Sequence, residues 1–188
     1  MKFVKSSVAM TIGMCCFAAQ ALAADGEINF VGTVTGSTCS AVIADVNGAA
    51  AGSVAMGNIS VLSLASPGAI AGAAAFELSL VAPAVEEGKT NLCDLDAGTA
   101  TVRFMSMNGS AGPNGEWVGL TGAGDAGVAK NVAIQIRDAT GNVVAMGQDS
   151  SLYKNLTEPM RFTANYIATG IATAGLANAK AAFSIDYK

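Results

Sequence analysis

The chain has 188 residues, a formal net charge of −4, only 13% charged residues and no histidine. Without histidine there is no Ser-His-Asp or Cys-His base and no imidazole metal site, and the acidic balance offers no cationic surface to neutralise phosphates, which excludes nucleic acid as a partner. Alanine and glycine together supply 59 of the 188 residues, so the 52% hydrophobic fraction reflects methyl groups more than large core side chains.

The chain opens with Lys2 and Lys5, continues through an uncharged apolar run at residues 8–19, and reaches Ala21-Leu22-Ala23, the small-x-small pattern read by signal peptidase. Residues 1–23 are therefore expected to be a cleaved signal peptide. The run is too short before Gln20 and Asp25 for a transmembrane anchor of ~20 residues, and Met14 ahead of Cys15 is a poor match to a lipoprotein site. Cleavage leaves 165 residues with eight basic and fourteen acidic side chains, the size of one domain. It also removes Cys15 and Cys16. The remaining Cys39 and Cys93 read as one structural disulfide of an exported protein, since a metal or redox role asks for closer spacing or more ligands.

Short windows of period-two alternation then recur, separated by turn residues. Ile28, Phe30, Gly32 and Val34 share one face, and the next windows hold Phe76, Leu78 and Leu80, then Val102 and Phe104. Asn108-Gly109 and Pro113-Asn114-Gly115 mark turns. Gly122-Ala123-Gly124-Asp125-Ala126-Gly127 fits G-x-G-x-x-G but leads into a strand-like window instead of opening a helix, and reads as a loop. Val132, Ile134 and Ile136 follow, then the turn Gly141-Asn142. Ser151-Leu152-Tyr153-Lys154 has the S-x-x-K form without its companion motifs and reads as a surface turn. Phe162, Ala164 and Tyr166, and finally Phe183, Ile185 and Tyr187, complete the set. No segment carries a helical period of useful length, although the Ala-rich stretch 69–75 could hold a short turn. Seven or so short strands and one disulfide predict an immunoglobulin-like sandwich. Glu86, Glu87, Asp94 and Asp96 lack calcium-loop spacing and read as a solvated acidic loop. Asn58, Asn108 and Asn155 head glycan acceptor patterns. No catalytic residue, metal site or cofactor is expected.

The two ends of the cleaved chain are unusual for a closed sandwich. Alternation begins at Gly26, just after the expected cut, and at the other end runs to Tyr187 and Lys188. Strand at a terminus presents hydrogen-bonding edges, and an exposed N-terminal strand can be donated to another chain.

The start, Asp25-Gly26-Glu27-Ile28-Asn29-Phe30-Val31-Gly32-Thr33-Val34 followed by Thr38-Cys39, resembles the N-terminus of type 1-like fimbrial subunits of the chaperone-usher pathway. The tail resembles the same family's C-terminal signature: Phe162-Thr163-Ala164-Asn165-Tyr166, then Gly175, fourteenth from the end, then Ala182-Phe183-Ser184-Ile185-Asp186-Tyr187-Lys188 with its penultimate Tyr. Met56-Gly57 and the windows between fit more loosely, so the resemblance spans the cleaved chain.

The resemblance implies an all-β fold: an incomplete immunoglobulin-like sandwich (pilin fold) that lacks its last strand and leaves an apolar groove beside its C-terminal strand. It implies that a periplasmic chaperone first lends a strand, and that an outer-membrane usher exchanges this for the N-terminal extension of a neighbouring subunit. The product would be a head-to-tail fibre on the cell surface, with heterologous contacts that never close. By that likeness residues 24–36 are the donor extension and 37–188 the pilin domain. Ile28 and Phe30 would enter apolar pockets, and Gly26 would pass where no side chain fits. Gly175, Phe183, Ile185 and Tyr187 would belong to the groove-forming end, with the Lys188 carboxylate held by basic chaperone residues. The expected role is a structural subunit, the major shaft subunit, with a minor subunit or a self-contained secreted immunoglobulin-like binding module as alternatives. Two departures from the family pattern stand out: residues 81–92 intervene before Cys93, and only Ala24 and Asp25 precede Gly26.

Overall fold

Wherever apolar residues alternate with polar ones in the second half of the chain, the backbone is extended. The computed structural model describes residues 39–44, 52–82, 93, 95–96 and 98–188, all within one compact unit, Gly36–Lys188. The signal peptide, the extension 24–36 with Gly26, Ile28 and Phe30, and nearly all of the 81–92 segment lie outside the described residues.

Among the described residues there are eight strands: β1 (Ser40–Ala44), β2 (Ile70–Val81), β3 (Ala100–Ser106), β4 (Ser110–Ala111), β5 (Trp117–Val118), β6 (Val132–Asp138), β7 (Met160–Ala168) and β8 (Ala181–Tyr187), with a single 3-10 turn at Val61–Leu64. One sheet has the order β1-β2-β7-β6-β5-β4; the other pairs β3 with β8. Every strand ladder is antiparallel. This is the all-β sandwich that the alternation predicts, and the expected turns at Asn108-Gly109, Pro113-Asn114-Gly115 and Gly141-Asn142 fall between strands as read.

Phenylalanines join the layers. Phe76 of β2 and Phe162 of β7 stack across their ladder with centroids 5.5 Å apart, and Phe104 of β3 meets both edge-on from the opposite sheet, at 6.2 and 5.1 Å. These are favoured geometries for aromatic pairs. Leu78, Met160, Val102, Val118, Val144 and Leu156 fill the space around them and are fully buried. The Cys39–Cys93 disulfide ties the residue before β1 to the approach to β3.

Two local readings are revised. The Ala-rich stretch forms the first half of β2 instead of a turn, because its ladder with β7 overrides alanine's weak strand propensity. The register shifts between Ala71 and Ala74, where Gly72 adopts φ +67° and a Cβ would lie 2.9 Å from Ile59 and 3.0 Å from Tyr166, so the bulge needs glycine. The segment holding Ser151 and Tyr153 is a strand edge more than a turn: Ala100 and Tyr153 exchange backbone hydrogen bonds at 3.0 and 2.9 Å, and the Ser150 N–H donates to the Val102 carbonyl at 2.8 Å. The second edge of β3 is thereby satisfied.

Asp138 closes β6 and holds the next turn. Its buried carboxylate accepts from the Thr140 amide at 3.0 Å, the Thr140 hydroxyl at 2.6 Å, the Asn142 amide at 3.1 Å and the Ser151 amide at 3.0 Å. Burial alone would raise its pKa, but the bonds from Ser151 and Thr140 outweigh that and hold it below the usual carboxylate range. A depressed carboxylate contributes stability above its unfolded pKa and loses it as pH falls through the folded value. Asp138→Asn would set an amide N–H against a backbone donor. It is expected to cost about 1–3 kcal/mol at pH 7, with the gap to wild type narrowing below pH 4, read from urea midpoints at both pH values.

Candidate functional site: an apolar groove beside the C-terminal strand

The residues leading into β8 are extended well before the strand begins, and one edge of that run is bonded nearly throughout. The Leu176 N–H donates to Gly127 and its carbonyl accepts from Ala129, Asn178 accepts from Thr121, Lys180 accepts from Met107, and the Lys188 N–H donates to Thr99. Between them β8 pairs with β3 from Ala181↔Ser106 to Tyr187↔Ala100. Among the described residues, the opposite edge of 176–188 has no ladder partner. Edges of this length are normally blunted or covered.

That free edge faces a groove of about 910 Å³. Residues 177–181 and Phe183 form one wall, and residues 52–58 form the other. Val54 and Met56 are half-buried while Ala55 and Gly57 are exposed, a strand-like alternation. Yet no backbone hydrogen bond joins 53–59 to another element among the described residues. The floor is the sandwich core itself: Phe76, Leu78, Phe104, Ile134, Ile136 and Tyr166. A second, smaller hollow of about 360 Å³ continues the groove past Tyr166 to Leu64, Ala172 and Leu176. One wall with a free strand edge, faced by a second that makes no backbone hydrogen bond to another element among the described residues, over an apolar floor has the form of a sandwich with one strand left out.

Of the C-terminal residues singled out in the sequence, Phe183 lines this groove, and Ile185 and Tyr187 follow it along β8. Phe183, Ile185 and Tyr187 point inward and pack on the core, but they are only half-buried, whereas the inward Phe162 and Ala164 of β7, flanked by strands on both sides, are buried. Phe183 leans on Phe104 with centroids 6.5 Å apart. Burial raises the pKa of the Tyr187 phenol, as it does for Tyr166 in the floor. Gly175 precedes the run and lines the smaller hollow. A Cβ there would strike the backbone of Ala129 and come within 2.6 Å of the Val128 carbonyl carbon. Lys188 is exposed, and its ammonium binds the Asp186 carboxylate at 2.5 Å, which raises the lysine pKa and lowers that of the aspartate.

Sequence reading missed the opposite wall at 52–58 and the upstream part of the near wall, Ala177 and Ala179. Both carry the signal that identified the other strands: Val54 and Met56, like Ala177, Ala179 and Ala181, keep the period of two. In the near wall the alanines' small side chains hid it. The G-x-G-x-x-G match forms a turn closed by the Asp125 amide on the Gly122 carbonyl at 2.9 Å, remote from any strand-to-helix junction. Among the described residues, no group of three or more Cys, Asp or Glu side chains could hold a metal ion, and no helix is long and apolar enough to cross a membrane.

Comparison with known proteins follows the same outline. A family model described as Fimbrial protein matches residues 28–188. The chain is 31% identical over 168 residues to the type-1 fimbrial protein A chain of Escherichia coli K12, covering 87% of this chain and 84% of the relative. In three dimensions it is similar to a type I fimbria protein of Burkholderia pseudomallei, with TM-score 0.50 and 28% identity over 79% of this chain and 98% of the other. It is also similar in fold to the P pilus rod subunit PapA, with TM-score 0.52 and 22% identity over 87% and 99% of the two chains.

Proposed function

The chain belongs to the fimbrial protein family, and from that premise we propose that it is the major shaft subunit of a fimbria, polymerising head to tail by donation of residues 24–36 to the groove of a neighbouring copy. It is a subunit of the chaperone-usher type whose relatives are structural and not enzymes, and it serves a surface fimbrium. The observation that carries the finer reading is the unpaired edge of 176–188 facing an apolar groove. A strand laid there would find backbone partners on both walls and a floor for the side chains on one of its faces, which is strand addition in its general form.

In this reading the signal peptide 1–23 is removed on export to the periplasm, and a chaperone covers the groove until an usher admits the next extension. Phe183, Ile185 and Tyr187 are the near-wall contacts, with Lys188 at the end the chaperone grips. Ile28 and Phe30 are the anchors of the incoming segment, with Gly26 at its crowded point. The shaft role is supported by the near full-length match to a type-1 A chain and by the small-residue composition.

The test uses the monomeric cleaved chain and a synthetic peptide of residues 24–36. The peptide is expected to co-elute with the chain in gel filtration and to raise its melting temperature by about 10 °C or more. A peptide carrying Ile28→Asp and Phe30→Asp is expected to do neither. Equal behaviour of the two peptides would overturn the assignment of the anchors.

A further inference from the structure

A thioether borders the groove on each side. Met56 belongs to the opposite wall and is half-buried against the core. Met107 lines the same groove, its N–H donating to the Lys180 carbonyl of the near wall at 2.9 Å, and at 64% exposure its sulfur is open to small reagents in solvent. Cleavage leaves five methionines, at 56, 105, 107, 146 and 160. Met105 is exposed on β3 without lining the groove, and Met160 is fully buried. Cys39 and Cys93 are joined, so the cleaved chain has no free thiol to compete for an oxidant.

We propose that Met56 and Met107 are a reversible oxidation site that controls the groove: a hydroperoxide converts them to sulfoxides while the groove is empty, and the sulfoxides block strand capture until they are reduced. The inference rests on the donor-strand reading. With hydrogen peroxide the sulfur lone pair attacks one peroxide oxygen, an S–O bond forms as the O–O bond breaks, and the sulfur gives up two electrons. The displaced hydroxide takes the remaining proton and leaves as water. A thioether is a soft apolar filler that adapts to whatever packs on it, whereas its sulfoxide is polar and chiral and disrupts methionine-lined interfaces. An incoming strand would have to bury that oxygen over a floor of Phe76, Leu78, Phe104, Ile134 and Ile136, where a polar group without a partner is costly. The same strand, once seated, covers both sulfurs. Oxidation therefore acts on subunits still awaiting a donor and spares those already in a fibre.

The test treats the cleaved monomer with hydrogen peroxide, either empty or holding the 24–36 peptide, which itself contains no sulfur. Peptide mass spectrometry locates the added oxygen, and fluorescence anisotropy then measures binding of fresh peptide. In the empty chain Met56 and Met107 are expected to gain oxygen while Met160 does not, which reports an intact core. Bound peptide should slow both groove methionines threefold or more and leave Met105 unchanged. The oxidised chain should bind the peptide at least tenfold more weakly than the untreated chain, and methionine sulfoxide reductase with its thiol donor should reverse the loss. Each variant is compared with its own untreated form. Met105→Leu should keep the tenfold loss, whereas a chain carrying both Met56→Leu and Met107→Leu, swaps of nearly equal volume, should bind equally before and after treatment. Persistence of the loss in that double variant would overturn the proposal, as would sulfoxide at both positions with binding unchanged, or equal oxidation of both with the peptide in place. Failure of the untreated chain to bind the peptide at all would instead remove the donor-strand reading and this inference with it.

Discussion

Linking a copy of residues 24–36 after Lys188 is expected to keep the cleaved chain a monodisperse monomer and to make it melt about 20 °C or more above the unmodified monomer. The size of the effect follows from what the groove lacks. Burying Ile28 and Phe30 contributes about 1.5–3 kcal/mol each, and each ladder bond to the free edges adds about 1 kcal/mol net. In a chain of this size 1 kcal/mol moves the melting temperature by about 2–4 °C. The tether makes the reaction intramolecular, with an effective concentration on the order of millimolar. Differential scanning calorimetry and size-exclusion chromatography read both quantities. The same tether carrying Ile28→Asp and Phe30→Asp should return the melting temperature to that of the unmodified chain.

Gly175→Ala is expected to destabilise the chain by about 3 kcal/mol or more, a large cost for one methyl group. Overpacking commonly costs about 1–3 kcal/mol when side chains can shift, but the added Cβ would meet backbone atoms of Val128 and Ala129 that cannot. On either side of that approach Leu176 is bonded to Gly127 and Ala129, so relief of the clash would pull apart the start of the near wall. Gly52→Ala is the control. A Cβ at Gly52 would have no atom within 4 Å, and the residue's φ is not in the left-handed region, so the change should stay within about 0.5 kcal/mol. Urea midpoints of the two variants measure the difference. If Gly175→Ala also weakens capture of the 24–36 peptide while Gly52→Ala does not, the close crossing positions the groove as well as the fold.

The long strands were legible in the sequence because large residues carried their alternation: Phe76 and Leu78, Val102 and Phe104, Ile134 and Ile136, Phe162 and Tyr166. The elements that escaped are built from small residues or are very short. β1 holds Ala41, Val42, Ile43 and Ala44, and β4 and β5 are two residues each; a two-residue strand has no period to read. The Ala-rich start of β2 was ambiguous for a physical reason, since alanine favours helix locally and becomes strand there through pairing with β7. Within the groove, the near wall was found through its aromatic half, Phe183 and Tyr187, while its alanine half and the opposite wall at 52–58 were not. The pairing of Cys39 with Cys93 followed from there being two cysteines after cleavage, and the structure joins them. The close approach at Gly175 is a backbone contact across 46 residues, which no local pattern encodes; only the family's tail signature pointed to it.

Amide hydrogen exchange along 177–187, resolved residue by residue, tests the central claim most directly. In a strand with one bonded edge, alternate N–H groups point to the partner and the rest point away. The account predicts that in the cleaved monomer the amides of β8 bonded to β3 are protected while the alternate set exchanges quickly. Filling the groove with the linked 24–36 segment should slow that second set by a factor of about 100 or more. Protection of both sets in the monomer, unchanged by the added strand, would mean that the sandwich is already complete and would point to a self-contained module in place of a subunit awaiting a donor.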